Sequence, residues 1–127
     1  MHIKEIKTVS NLKPFDRYNY FIKKIADFET LYTLKNLEGD FAISEVDNHF
    51  MFPLWSHKEF ATLNLDKEWQ YFTIFEISLE ELTDEIFPFI LKNDYLINVF
   101  PMNDKTGFVV SLEELKRDLS EELENYQ

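Results

Sequence analysis

Ile77-Ser78-Leu79-Glu80-Glu81-Leu82 and Val110-Ser111-Leu112-Glu113-Glu114-Leu115 are near-copies of one another, and each reads as the junction between a strand and a helix. In both, Ser stands at the N-cap and Glu at the third helical position. The Ser oxygen can accept from the third-position N–H while the Glu carboxylate accepts from the cap N–H, satisfying two donors that a helix start leaves orphaned. The apolar residue before each cap and the one five positions later form a hydrophobic staple. Trp55-Ser56-His57-Lys58-Glu59-Phe60 repeats the grammar a third time. The three sites predict helices near 57–63, 79–91 and 112–124. Duplication of a strand-helix unit is one reading of the two near-copies. The residues flanking the caps do not match, so the same capping chemistry arising twice is the simpler account.

Working outward, Phe15, Tyr18, Phe21, Ile22 and Ile25 recur at helical spacing behind Pro14, whose fixed φ suits a first helical turn. This predicts a first helix from about Pro14 to Ala26 with that face in the core. Strands are expected at 30–36, 41–47 and 49–54, separated by Leu37-Glu38-Gly39-Asp40 and Asp47-Asn48, as a meander. Further strands are expected at 69–76, 95–101 and 107–110. These are apolar on both side-chain parities, as in Tyr71/Thr73/Phe75 against Phe72/Ile74, which predicts cover on both faces. Met1 to Ser10 alternates Ile with Lys or Glu and lacks the apolar core of a signal peptide. The expected fold is α+β, with a mixed, mainly antiparallel sheet of five to six strands and about four helices packed on it, in a single domain over 1–127.

Charge narrows the partners. The chain has 13 Lys and Arg against 24 Asp and Glu, a formal net charge of −11, and the excess of carboxylates lies mostly beyond residue 76. Binding nucleic acid requires cations that displace counterions from phosphate, so this field argues against DNA or RNA. No apolar run approaches the ~18 residues of a membrane span. Cysteine is absent, which removes disulfides, thiolate chemistry and cysteine-ligated zinc and fits a reducing, cytoplasmic setting.

The usual constellations of catalysis are missing. Gly39 and Gly107 are the only glycines, each placed where a hairpin wants one, so neither a dinucleotide fingerprint nor a phosphate loop can be written. His2, His49 and His57 form no ligand pair, and neither a metal nor a cofactor is expected. His57 opens a predicted helix, where the dipole favours a neutral ring. Phe50-Met51-Phe52-Pro53-Leu54-Trp55 reads first as a strand with a staple residue. Its alternative reading is a shallow ligand or partner surface around Trp55, since an indole combines large area with an N–H donor. Glu113, Glu114, Asp118, Glu121, Glu122 and Glu124 read as the solvated face of the last helix or as a recognition surface for a basic protein.

The order of segments resembles the bacterial domain-of-unknown-function family 2750. The residues that carry this are Tyr18-Asn19-Tyr20-Phe21-Ile22-Lys23-Lys24-Ile25-Ala26-Asp27, Thr33-Leu34-Lys35 leading to Gly39, Pro53-Leu54-Trp55-Ser56-His57 with Phe60-Ala61, Ile77 to Leu82, and Val99-Phe100-Pro101. The resemblance spans about Tyr18 to Leu123. Asp40 and Ser56 stand where the family often has Trp and Pro. The resemblance implies a small bacterial, cytoplasmic domain and brings no mechanism with it. The functional expectation from the residues is a non-enzymatic protein-binding domain, of the immunity or inhibitor kind, for a basic toxin or nuclease, contacting it through Glu121, Glu122 and Glu124. The alternative is a small-molecule-binding or enzymatic domain with a cleft near Trp55, His57 and Phe100.

Overall fold

A computed structural model of the chain describes residues 1–66 and 69–126. The elements run α1 (Ile3–Ser10), α2 (Pro14–Phe28), β1 (Thr30–Lys35), β2 (Ser44–Val46), β3 (His49–Leu54), α3 (Lys58–Thr62) and β4 (Thr73–Ser78). After β4 come α4 (Leu79–Glu81), a π-helical segment (Leu82–Ile86) and α5 (Phe87–Lys92), one continuous helical stretch. The chain ends with β5 (Leu96–Val99), β6 (Phe108–Val110), α6 (Leu112–Leu123) and a 3-10 turn (Glu124–Tyr126). The α+β class is as expected, and no helix among the described residues is long and apolar enough to cross a membrane.

The strands form two ladders rather than one sheet opened by a meander. β1 pairs antiparallel with β4, and the other ladder runs β2-β3-β5-β6. Within it β2 and β3 are antiparallel, β3 and β5 parallel, and β5 and β6 antiparallel. β1 does not pair with β2. Instead Lys35 bridges Phe41, and Tyr32 exchanges both backbone hydrogen bonds with Trp55 at 2.9 Å each, which stitches the two ladders together. The expected strand over 41–47 is therefore only Ser44–Val46, and its hairpin to β3 turns on Asp47 and Asn48, both at positive φ (52° and 67°) as a primed turn requires. The strand expected over 69–76 begins at Thr73, because Phe72 N–H donates to the Trp69 carbonyl and closes a turn there.

Two of the three caps form as the sequence predicts. Glu81 N–H donates to Ser78 Oγ at 3.0 Å and Ser78 N–H to Glu81 Oε1 at 3.3 Å. The corresponding distances at Ser111 and Glu114 are 3.1 and 3.2 Å. The staples close too, with Ile77, Leu82, Val110 and Leu115 all buried. The third cap does not form. Trp55 is held extended by Tyr32, the chain stays extended through His57, and α3 starts one residue late with His57 as an N-cap that makes no side-chain capping bond. Ser56 Oγ lies instead 2.9 Å from His57 Nδ1. Ser78→Ala and Ser111→Ala are each expected to cost about 0.5–2 kcal/mol, measured as shifts of the urea midpoint, whereas Ser56→Ala carries no cap loss. Changes below measurement error in both of the first two variants would contradict the assignment.

Two further departures concern the N-terminal third. α1 is a helix that the alternation of Ile and Lys concealed; Ile6 and Val9 face the core, and His2 Nδ1 accepts from Lys4 N–H at 3.1 Å as its cap. On α2, Tyr18, Phe21, Ile22 and Ile25 are buried as expected, but Phe15 is 55% exposed, its ring packed edge-on against Phe108 at 5.3 Å. α2 ends at Glu29, which takes the left-handed conformation at φ 57°. Arg17 is buried from the same helix. Its guanidinium donates to the carbonyls of Leu12 and Phe100, tying the chain after α1 and the end of β5 to α2.

Candidate functional site

Trp55 is core. It is 0% exposed, its Nε1 donates to the Pro101 carbonyl at 2.9 Å, and Trp69 packs perpendicular to it at 6.0 Å. Phe100 is also 0% exposed, with its N–H bound to the Leu54 carbonyl at 2.8 Å and its backbone at φ 64°. Neither ring presents a surface: Phe50 to Leu54 is strand as expected, Trp55 is a core residue two positions before the His57 cap rather than its staple, and the shallow Trp55 surface does not form. A buried Trp near its own strand end does what the sequence pattern allows while satisfying its one donor internally.

His57 is half-buried among aromatic rings, 5.9 Å from Tyr20, 6.0 Å from Phe28 and 5.7 Å from Phe60. Burial lowers its pKa below the ordinary histidine value, against the opposing pull of the Glu5 and Glu59 carboxylates. Glu5 Oε1 accepts from Tyr20 Oη at 2.7 Å, and that bond is the main reason its own pKa is lowered. His57 and Phe100 thus meet the same rings, Phe60 and Tyr20, in the core between α2 and α3. Among the described residues no three His, Cys, Asp or Glu side chains group as metal ligands.

The acidic residues are placed differently. α6 lies against α2, and between them runs a groove of about 450 Å³ lined by Phe15, Tyr18 and Ile22 on one side and Arg117, Glu121 and Glu122 on the other. Tyr18 donates to Asp118 Oδ2 at 2.5 Å, and burial followed by that carboxylate pushes its phenol pKa up. Arg117 Nε holds the other Asp118 oxygen at 3.1 Å. Glu122 accepts from Asn125 at 3.2 Å, and Glu121 is exposed. Glu124 opens the terminal 3-10 turn, exposed and outside the groove. The structure brings Glu121 and Glu122 to one rim, leaves Glu124 beside it, and separates all three from His57.

A second concavity, of about 360 Å³, was invisible in the sequence. Its walls come from β2, the end of α3, the turn at Trp69, β5 and the β5–β6 loop, and it includes Ser44, Asn64, Trp69 and Asn98. Apart from Asn64 and Trp69, five positions apart, these residues are scattered along the sequence.

No curated protein matches the chain. The family described as "Protein of unknown function (DUF2750)" matches residues 18–119. That span opens in α2 and closes in α6, taking in both ladders and the two formed caps; of the α2–α6 groove it includes Tyr18, Ile22 and Arg117 but not Phe15, Glu121 or Glu122. With this match across most of its length, the chain belongs to the DUF2750 family of proteins of unknown function.

Proposed function

We propose that the chain is a non-enzymatic, cytoplasmic protein-binding domain that takes a basic segment of a partner protein, in the manner of an immunity or inhibitor protein, along the α2–α6 groove. The observation that carries this reading is the pairing of Glu121 and Glu122 on the rim with Phe15, 55% exposed, on the opposite wall. Carboxylates steer a cationic partner into encounter, and an exposed aromatic ring supplies the apolar area that slows its departure. From Leu112 onward six carboxylates face only Lys116 and Arg117, so the field over the groove is negative. Lack of cysteine is compatible with a reducing compartment. The competing reading, a cleft at Trp55, His57 and Phe100, loses support because Trp55 and Phe100 are enclosed.

Affinity capture from the native cell supplies the partner, and kinetics supply the test. Changing Glu121, Glu122 and Glu124 to Lys should slow association by about tenfold or more, with wild-type association falling steeply as salt rises and dissociation changing little. Association rates that are equal for wild type and a folded variant, at low and high salt, would reduce the acidic pole to a solubility feature.

A further inference from the structure

The concavity beside Trp69 contains polar groups whose bonding is half complete. Asn98, on β5, is 3% exposed, and its Oδ1 accepts from Gly107 N–H at 2.8 Å. That bond fixes the carboxamide orientation and turns Nδ2, which has no acceptor among the described residues, toward the remaining space. Asn64 is 9% exposed and its Nδ2 donates to the Phe60 carbonyl at 2.9 Å, which leaves Oδ1 without a donor among the described residues. Ser44 Oγ is buried with no partner among them at all. All three side chains line the same cleft, one wall of which is Trp69, locked by its perpendicular contact with Trp55. Ser44 Oγ is closed off from the cleft itself, but the Asn98 donor and the Asn64 acceptor are both unused at its wall among the described residues, and convergent polar groups of this kind in one concavity point to a ligand that engages both.

From this geometry we infer that the cleft binds a small, flat, uncharged ring bearing an amide edge. Its carbonyl accepts from Asn98 Nδ2, its N–H donates to Asn64 Oδ1, and its ring lies against Trp69. The volume is in the range of small-molecule sites, about 300–1,000 Å³. The Glu45 and Asp66 carboxylates on the rim disfavour anions. This site is separate from the α2–α6 groove and stands or falls independently of the protein-binding reading. The amide edge can belong to a primary carboxamide on a ring or to a lactam within one, and benzamide and uridine probe the two.

Titration calorimetry of the full chain with benzamide, benzoate and uridine tests the inference. Benzamide, uridine or both should bind with a dissociation constant below about 1 mM, and benzoate, which offers acceptors only and carries a charge, should bind at least about tenfold more weakly than benzamide. Binding of benzamide alone assigns the carboxamide source, and of uridine alone the lactam. Asn98→Asp keeps the acceptor for Gly107 N–H but removes the Nδ2 donor, so it should weaken the bound amide about tenfold or more. Asn64→Ala provides a second variant should Asn98→Asp fail to fold; it removes the Oδ1 acceptor and should likewise weaken the bound amide about tenfold or more. Absence of binding for both amides, equal binding of benzamide and benzoate, or unchanged affinity in the folded variants would overturn the inference.

Discussion

Trp55→Ala is expected to cost about 3–5 kcal/mol, close to the whole stability of a marginal domain, and to leave much of the protein unfolded at moderate urea. Three losses combine at this position. The indole is enclosed on every side, so its removal opens a cavity among Trp69, Pro101 and the strand ends rather than a dent at the surface. The Pro101 carbonyl loses its donor within the core, which adds an unsatisfied acceptor. The residue's own backbone is the stitch between the two ladders, so looser packing there is felt by both. Trp55→Phe restores most of the volume without the N–H and should fall between wild type and Ala. Urea midpoints of the three proteins, compared at constant m, measure this order; a loss under about 1 kcal/mol for Ala would mean that the site is not enclosed.

Gly107→Ala is expected to be the most damaging single-methyl addition in the chain. A Cβ at this position would lie 2.0 Å from the Val99 carbonyl oxygen and 2.7 and 2.8 Å from the carbonyl carbon and oxygen of Phe100. These are backbone atoms of the strand end, so no rotamer change relieves the overlap. Overpacking costs about 1–3 kcal/mol where side chains can shift, and here the upper end or beyond is expected. The displacement also pulls Gly107 N–H away from Asn98 Oδ1. Gly39→Ala is the control. Gly39 has nothing within 4 Å of its would-be Cβ but sits at φ +87°, so Ala there bears only the cost of the left-handed backbone, about 1–2 kcal/mol. A thermal midpoint lowered more by Gly39→Ala than by Gly107→Ala would contradict this account.

The contrast between these two glycines shows what could be read from the sequence. Both looked like hairpin glycines. Gly39 is one, and Gly107 is required by a close approach that depends on where β5 ends. The caps at Ser78 and Ser111 were legible because each is complete within four residues, whereas the same letters at Ser56 failed because Tyr32, far away in the chain, holds Trp55 extended. α1 was missed because its two turns are short and interrupted by β-branched Thr8 and Val9, which weaken the periodic signal. Phe15 fell on the core face of a correctly read helix, yet α6 and β6 do not reach far enough to cover it. The acidic rim was visible as composition, but only packing shows that Glu121 and Glu122 border a groove and Glu124 does not. Asn64 and Asn98 carried no signal, since an unfinished carboxamide is a property of its neighbours.

The parallel ladder of β3 and β5 governs how the molecule can assemble in time. Met51 to Leu54 must find Leu96 to Val99, and Thr30 must find Ser78, before either ladder is complete. The one tight hairpin at hand, β2 with β3, offers three paired positions and no closed face. Entropy lost in closing such long loops comes before the contacts that reward it, so slow folding for a chain of this size is expected. During that interval the Phe52–Leu54 edge of β3, later enclosed by β5, is apolar and unpaired, and a second chain can dock on it. Faster synthesis or higher concentration therefore competes directly with β5 for the same row of backbone donors and acceptors.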